Sequence, residues 1–205
     1  MKEIRSFSEE RAMPTVIKDS EGNDTRTIEG YAVVFEKESR MMMDWWKGNK
    51  FVEVIKRGAV TDADLKKWDI KALAEHNPSR LLARSYEGKG SLTLAVDDYG
   101  VLYRFEAPNT VEGDNAIELI KRGDIFGSSF AYTTDETSNV KYTKQKDGSM
   151  LREVTKLDKM YDVSIVTDPA YFGTNVTVRS LGNLIEPETD EAYLQEIEEL
   201  RSLTK

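Results

Sequence analysis

The segment SLTLAVDDYGVLYRFEAPN, residues 91–109, constrains the fold of this 205-residue chain more than any other. Leu92, Leu94 and Val96 alternate with smaller or polar residues, the period of a half-buried strand. Asp97, Asp98 and Gly100 supply the turn that folds the strand back on itself. The segment predicts a β-hairpin, and the rest of the chain has to accommodate a sheet.

Most other segments agree. TIEGYAVVF, residues 27–35, is rich in β-branched and aromatic residues, and its glycine suggests a bend or bulge. VKYTKQKDGSMLREVTKLDKM predicts a second hairpin turning at Asp147 and Gly148, while IFGSSFAYTTDE, YDVSIVTDPAY and NVTVRS read as further short strands. VEGDNAIELIKRGDI predicts a helix with Ala116, Ile117 and Ile120 on one face and Gly123 at its C-terminal stop. MMMDWWKGNKFVEVIKRGAV is open to several readings: a mobile loop, a lid or a packing flap. Its aromatics fit a satellite core better than a binding box. Strands outnumber helices and no βαβ rhythm repeats. The fold class is therefore α+β and β-rich, expected as a partly closed β-barrel with flanking helices.

The composition excludes several chemistries. With no cysteine and one histidine, disulfides, thiolate nucleophiles and the usual zinc ligand sets are ruled out. No metal site or cofactor is expected. A net charge of -8 argues against broad binding to a nucleic-acid backbone. No apolar run reaches the roughly 18 residues of a membrane span. The N-terminal MKEIRSFSEERAMP lacks the apolar run of a signal peptide, so no export is expected.

Character changes near Asn183. Seven carboxylates (Glu186, Glu188, Asp190, Glu191, Glu196, Glu198, Glu199) against Arg201 and Lys205 carry -5 of the -8. Thr189 is a fitting N-cap, and Tyr193, Ile197 and Leu200 share a face. The organisation expected is a main domain over residues 1–182 and an acidic amphipathic helix, an appendage, over 183–205.

His76 is the single histidine, and an imidazole is the side chain suited to act as a base near neutral pH. It follows an apolar segment and precedes an Asn77-Pro78 turn, where a strand meets a loop. A serine hydroxyl needs such a neighbour to become a nucleophile. Ser128 and Ser129 are candidates in GDIFGSSFAY, after Gly127. Taken alone, the same residues also fit a structural histidine and a pair of small residues where a helix packs on a sheet.

The order of the pieces adds information. IEGYAVVFE, FVEVIKRGAV, LAEHNPSRLLARS, LTLAVDDYGVLYRFEAPNT, ELIKRGDIFGSSFAY and YDVSIVTDPAY, in this order between about residues 27 and 180, resemble the HK97-type prohead maturation proteases of tailed bacteriophages. The resemblance implies a serine endopeptidase with a herpesvirus-protease-like fold. It places the base at His76, in EHNP, and the nucleophile at Ser129, in GSSF. Two departures from the family pattern, FGSS for SGMS and FAY for FGF, bear on Ser128 against Ser129, and the following Phe130 favours Ser129. With no second histidine, an acid must orient His76. The resemblance puts Asp162 there, with Asp168 the runner-up in a Pro turn.

The implied substrate is scaffolding protein, or the scaffolding segment of the major capsid protein, and the enzyme itself. The implied setting is the inside of an assembling procapsid in the host cytoplasm, with self-association there and no nucleic-acid or membrane partner. The alternatives are a catalytically inactive assembly or scaffolding protein that keeps the protease fold, and a hydrolase of small esters.

Overall fold

A computed structural model describes residues 2–7, 11–39, 41–44 and 48–167. Its described residues form fourteen strands and two helices, in three sheets. The six-stranded sheet runs β1 (Glu3–Phe7), β11 (Gly127–Thr133), β14 (Lys159–Val166), β6 (Asp69–Ala74), β7 (Leu81–Tyr86) and β8 (Lys89–Gly90). A four-stranded sheet runs β2 (Thr15–Lys18), β3 (Asp24–Val34), β10 (Gly100–Glu106) and β9 (Leu92–Val96). The other runs β12 (Val140–Lys144), β13 (Met150–Val154), β5 (Asn49–Ile55) and β4 (Met42–Asp44).

The β-rich reading holds. Both hairpins form, β9 with β10 and β12 with β13. The Asp97 carboxylate accepts from the Tyr99 and Gly100 amides at 2.7 and 2.8 Å, which closes the first turn. None of the three sheets closes on itself among the described residues. Two pairings are parallel, β14 with β6 and β13 with β5, joining segments far apart in the chain. Of the sequence segments, NVTVRS and the acidic C-terminal helix lie outside the described residues, as do Trp45, Trp46 and Asp168. Met42–Asp44 is a short strand at the edge of its sheet.

The predicted helix is α2 (Val111–Arg122), longer than α1 (Asp62–Leu65). Its N-cap is Thr110, whose side chain accepts from the Gly113 amide, and Gly123 ends it at φ 78°. This left-handed C-cap is one that glycine takes without steric cost. Glu112 and Asp114 in the first turn and Lys121 and Arg122 in the last complement the helix dipole.

Gly30 corrects one expectation. The bulge falls between Val33 and Tyr31, where β3 carries one residue more than β10 opposite Val101 and Leu102. Gly30 serves another purpose: a Cβ there would lie 2.5 Å from the Tyr103 Oη and 3.0 Å from the Ser128 Oγ. Its bare backbone leaves room for a buried hydroxyl pair. Tyr103, Phe130, Tyr132, Ile28, Ile70 and Met160 are among the largest fully buried side chains. The core therefore lies against the six-stranded sheet, with β11 buried through most of its length.

Candidate active site

The register of the six-stranded sheet assembles the site. In β11, Ser128 and Ser129 point to opposite faces, as consecutive strand residues must. Ser128 faces the core. Its Oγ donates to the Ala12 carbonyl at 2.7 Å and lies 2.8 Å from the Tyr103 hydroxyl. Ser129 faces the other way, directly opposite Ser164 of β14 on one side and Ser6 of β1 on the other. Asp162, two residues before Ser164, shares that face.

His76 reaches the same face from the end of β6. The chain leaves β6 at Ala74 through two consecutive left-handed residues, Glu75 at φ 56° and His76 at φ 51°. Such residues cost on the order of 1–3 kcal/mol each and persist where surrounding contacts hold them. Here the contacts are explicit. The Glu75 amide donates to Ile165 O at 3.0 Å, its carboxylate accepts from the Thr167 amide at 2.7 Å, and the Asn77 amide donates to Ala74 O at 3.1 Å. The turn thereby swings the imidazole across β14 toward β11.

The three side chains named from the sequence meet in a line. His76 Nδ1 lies 2.5 Å from Asp162 Oδ1, and His76 Nε2 lies 2.5 Å from Ser129 Oγ. With its proton on Nδ1 facing the carboxylate, the ring presents a bare Nε2 to the hydroxyl. That tautomer can accept the serine's proton. Asp162 is 2% exposed. Burial alone would push its carboxyl upward, but the hydrogen bond and charge of His76, with the Lys2 ammonium at 2.9 Å from Oδ2, hold it below the ordinary carboxylate value.

Several neighbours had no assigned role in the sequence reading. Ser164 Oγ donates to Asp162 Oδ1 at 3.0 Å and lies 3.2 Å from His76 Nδ1, so it fixes the carboxylate against the ring. Its signal was the two-residue spacing from Asp162, which puts both on one face. Ser6 and Arg5 of β1 also reach Ser129: Ser6 Oγ donates to Ser129 Oγ at 2.9 Å, and Ser129 Oγ lies 2.9 Å from the Arg5 carbonyl oxygen. No local pattern pointed to them. Ser129 is fully buried. Two surface hollows, one beside Arg84 and Tyr86 and one beside Phe51 and Tyr142, do not include any residue of this line.

The arrangement provides a hydroxyl, a base in contact with it and a buried acid behind the base, the set needed for nucleophilic acyl transfer. Among the described residues, no group of three or more His, Asp or Glu side chains is placed to hold a metal ion. No helix there is long and apolar enough to cross a membrane.

Comparison with known proteins gives a family. The family model described as caudovirus prohead serine protease matches residues 13–186. No curated protein matches the chain. Among solved structures, that of the bacteriophage T4 capsid assembly protease aligns at 14% identity and a TM-score of 0.45, over 82% of this chain and 98% of that one.

Proposed function

The chain belongs to the caudovirus prohead serine protease family, and from that premise we propose that Ser129, His76 and Asp162 carry out its peptide hydrolysis. The protein is a serine peptidase of phage capsid maturation. Ser129 Oγ attacks the scissile carbonyl carbon while its proton passes to His76 Nε2. The imidazolium then gives that proton to the leaving amine, and water, activated by the same base, releases the acyl group. Asp162 holds the tautomer and faces the charge that forms on the ring. The observation that carries this reading is the unbroken contact from Asp162 through His76 to Ser129, at 2.5 Å on each side of the ring.

The substrates proposed are scaffolding protein, or the scaffolding segment of the major capsid protein, and the enzyme's own chain, a reading that membership of a prohead protease family supports. The enzyme works and self-associates inside the procapsid in the host cytoplasm, with no cofactor and with no nucleic-acid or membrane partner. A partly closed barrel of the herpesvirus-protease kind is the arrangement proposed for the three sheets. Contacts between β11 and β3, and between Tyr132 and Glu53, support it by joining different sheets. The protease domain spans residues 1–182, and the acidic helix over 183–205 is an appendage dispensable for the chemistry. The family match ending at residue 186 supports that division.

The test is co-expression with the capsid protein of the same phage, followed by mass spectrometry of the fragments. Defined fragments that vanish with Ser129→Ala are the expected result. Identical fragments with Ser129→Ala would reject Ser129 as nucleophile. A chain ending at Leu181 should keep its activity, and loss of folded protein on that truncation would make the helix part of the core.

A further inference from the structure

The N-terminal strand β1 and Lys2 just before it lie outside the family-matched residues 13–186, yet together they touch the site at three points. Lys2 pairs with Asp162, Ser6 Oγ donates to Ser129, and the Arg5 carbonyl stands 2.9 Å from Ser129 Oγ. Its backbone pairs antiparallel along β11, with Ser6 opposite Ser129. An extended strand that adds to an exposed sheet edge is a standard way for a protein to bind a peptide. The single hydroxyl proton of Ser129 also serves one acceptor at a time, either His76 Nε2 or the Arg5 carbonyl.

The Arg5 side chain is anchored just as specifically. It is buried on the opposite face, with Nε 2.7 Å from Glu53 Oε1 and Nη2 2.9 Å from Glu53 Oε2, and lies over the Tyr132 ring. Arg152 pairs with the same Glu53 and with Glu136. If β1 leaves, Arg5 and Glu3 leave with it. The net charge of the cluster is unchanged, since Arg5 and Glu3 cancel, but the buried Glu53 carboxylate loses the two guanidinium bonds that Arg5 gave it and keeps a place for a cationic donor beside an aromatic face. That pocket suits a guanidinium or ammonium group.

We propose that β1 holds the place of a substrate strand on the edge of β11, and that Glu53 selects a basic side chain at the residue whose carbonyl meets Ser129. This rests on the reading of Ser129 as the nucleophile. When β1 is displaced, an extended segment takes its place with Arg or Lys in the Glu53 pocket. The bond after that residue is hydrolysed by one water, leaving a carboxylate on the basic residue and an amine on the next. While β1 is seated, Ser129 stays covered.

The test uses the full chain in three forms: unaltered, Arg5→Gln and Arg5→Glu. Labelling of Ser129 by a fluorophosphonate reports access to the nucleophile without any substrate. Arg5→Glu sets like charge against Glu53 and should raise the labelling rate at least tenfold, with Arg5→Gln in between. Quenched hexapeptides on the sequence KEIRSF, with Arg, Lys, Gln or Glu in fourth place, are then offered to the Arg5→Gln chain. Cleavage after Arg and Lys at least tenfold faster than after Gln and Glu is expected, and Glu53→Gln should flatten that preference. Measurable labelling at the same rate in all three folded forms would overturn the cover, and cleavage without a basic preference would overturn the role of Glu53. Absence of labelling at Ser129 in every folded form would instead sink the nucleophile assignment on which both depend.

Discussion

Neutralising Asp162 separates the charge of the acid from its geometry. In Asp162→Asn the side-chain oxygen can remain in the Oδ1 position, where it accepts from His76 Nδ1–H at 2.5 Å and from Ser164 at 3.0 Å. The new amide then points toward Lys2, whose side chain is 48% exposed and free to turn to solvent. The tautomer survives and the charge is lost. Two unit charges at about 4 Å in an effective dielectric near 20 interact by about 4 kcal/mol. At roughly 1.4 kcal/mol per tenfold, the loss of that attraction for the transient imidazolium is about 10³ in rate. Should the amide flip and offer a donor to Nδ1, the loss moves toward the roughly 10⁴ known for an amidated triad acid. Initial rates on an unfolded scaffold-derived substrate, with folding checked by circular dichroism, measure the effect. Ser164→Ala removes one hydrogen bond to the carboxylate, worth about 1.5–3 kcal/mol, and should cost about ten- to hundredfold. Lys2→Ala should change the rate less than about fivefold, since a half-exposed ion pair is screened by water. A folded Asp162→Asn protein with unaltered turnover would remove Asp162 from the site and make Asp168 the next acid to test.

Other expectations follow from the same contacts. Ser129→Ala should abolish cleavage in a protein that still folds, with a stability loss of about 1–3 kcal/mol, that of a lost buried hydrogen bond, as the Ser6 hydroxyl and the Arg5 carbonyl lose their partner. Ser128→Ala should keep the chemistry but lose stability by about 1–3 kcal/mol, because the Ala12 carbonyl and the Tyr103 hydroxyl lose a buried partner. The double variant His76→Ala with Ser129→Ala should be scarcely worse than either single one, since groups that act as a unit lose their effect together. Activity should fall on acidification, because an imidazolium cannot accept the proton of Ser129. Stability depends on pH through a different group. The Asp162 carboxyl is held low in the folded state, so its contribution is complete above the unfolded value near pH 4 and is lost only as pH drops through the lower folded value. Acid unfolding of the wild type beside Asp162→Asn should show the wild type's advantage disappearing as pH drops through that range. Gly30→Ala should destabilise by about 1–3 kcal/mol through overpacking against Tyr103, read as a drop in melting temperature.

Local chemistry made much of the fold legible. The turn at Asp97–Gly100, the stop at Gly123 and the turn at Asp147–Gly148 are each set by residues within a few positions of one another. The parallel pairings of β6 with β14 and of β5 with β13 were not legible. Parallel partners need no turn signal between them, and their register depends on a core that forms only when distant segments meet. Gly30 shows the same limit from another side. A glycine in a strand announces either a bulge or a close approach, and only the position of Tyr103 decides between them.

The site divides along the same line. His76 stands out as the single histidine and Ser128 and Ser129 as a candidate pair, but taken alone each also fits a structural role. Ser129 and Asp162 are named through the resemblance of the ordered segments, and strand alternation separates Ser128 from Ser129 once the strand is placed. β1 could not be read this way, because its hydropathy points the wrong way round. Alternation in EIRSF would turn Ile4 inward and Arg5 outward, yet Ile4 is 40% exposed and Arg5 is 7% exposed. Arg5 reverses the pattern because Glu53 and Tyr132, far away in sequence, meet its guanidinium in the interior. A buried ion pair of this kind adds little net stability over a well-packed apolar pair, since both charges give up water to form it. On the proposal above, its effect is to fix which strand can lie there and in which register. An edge strand held by charge recognition rather than by apolar burial can be replaced by another strand with the same charge, and β1 has that character beside Ser129.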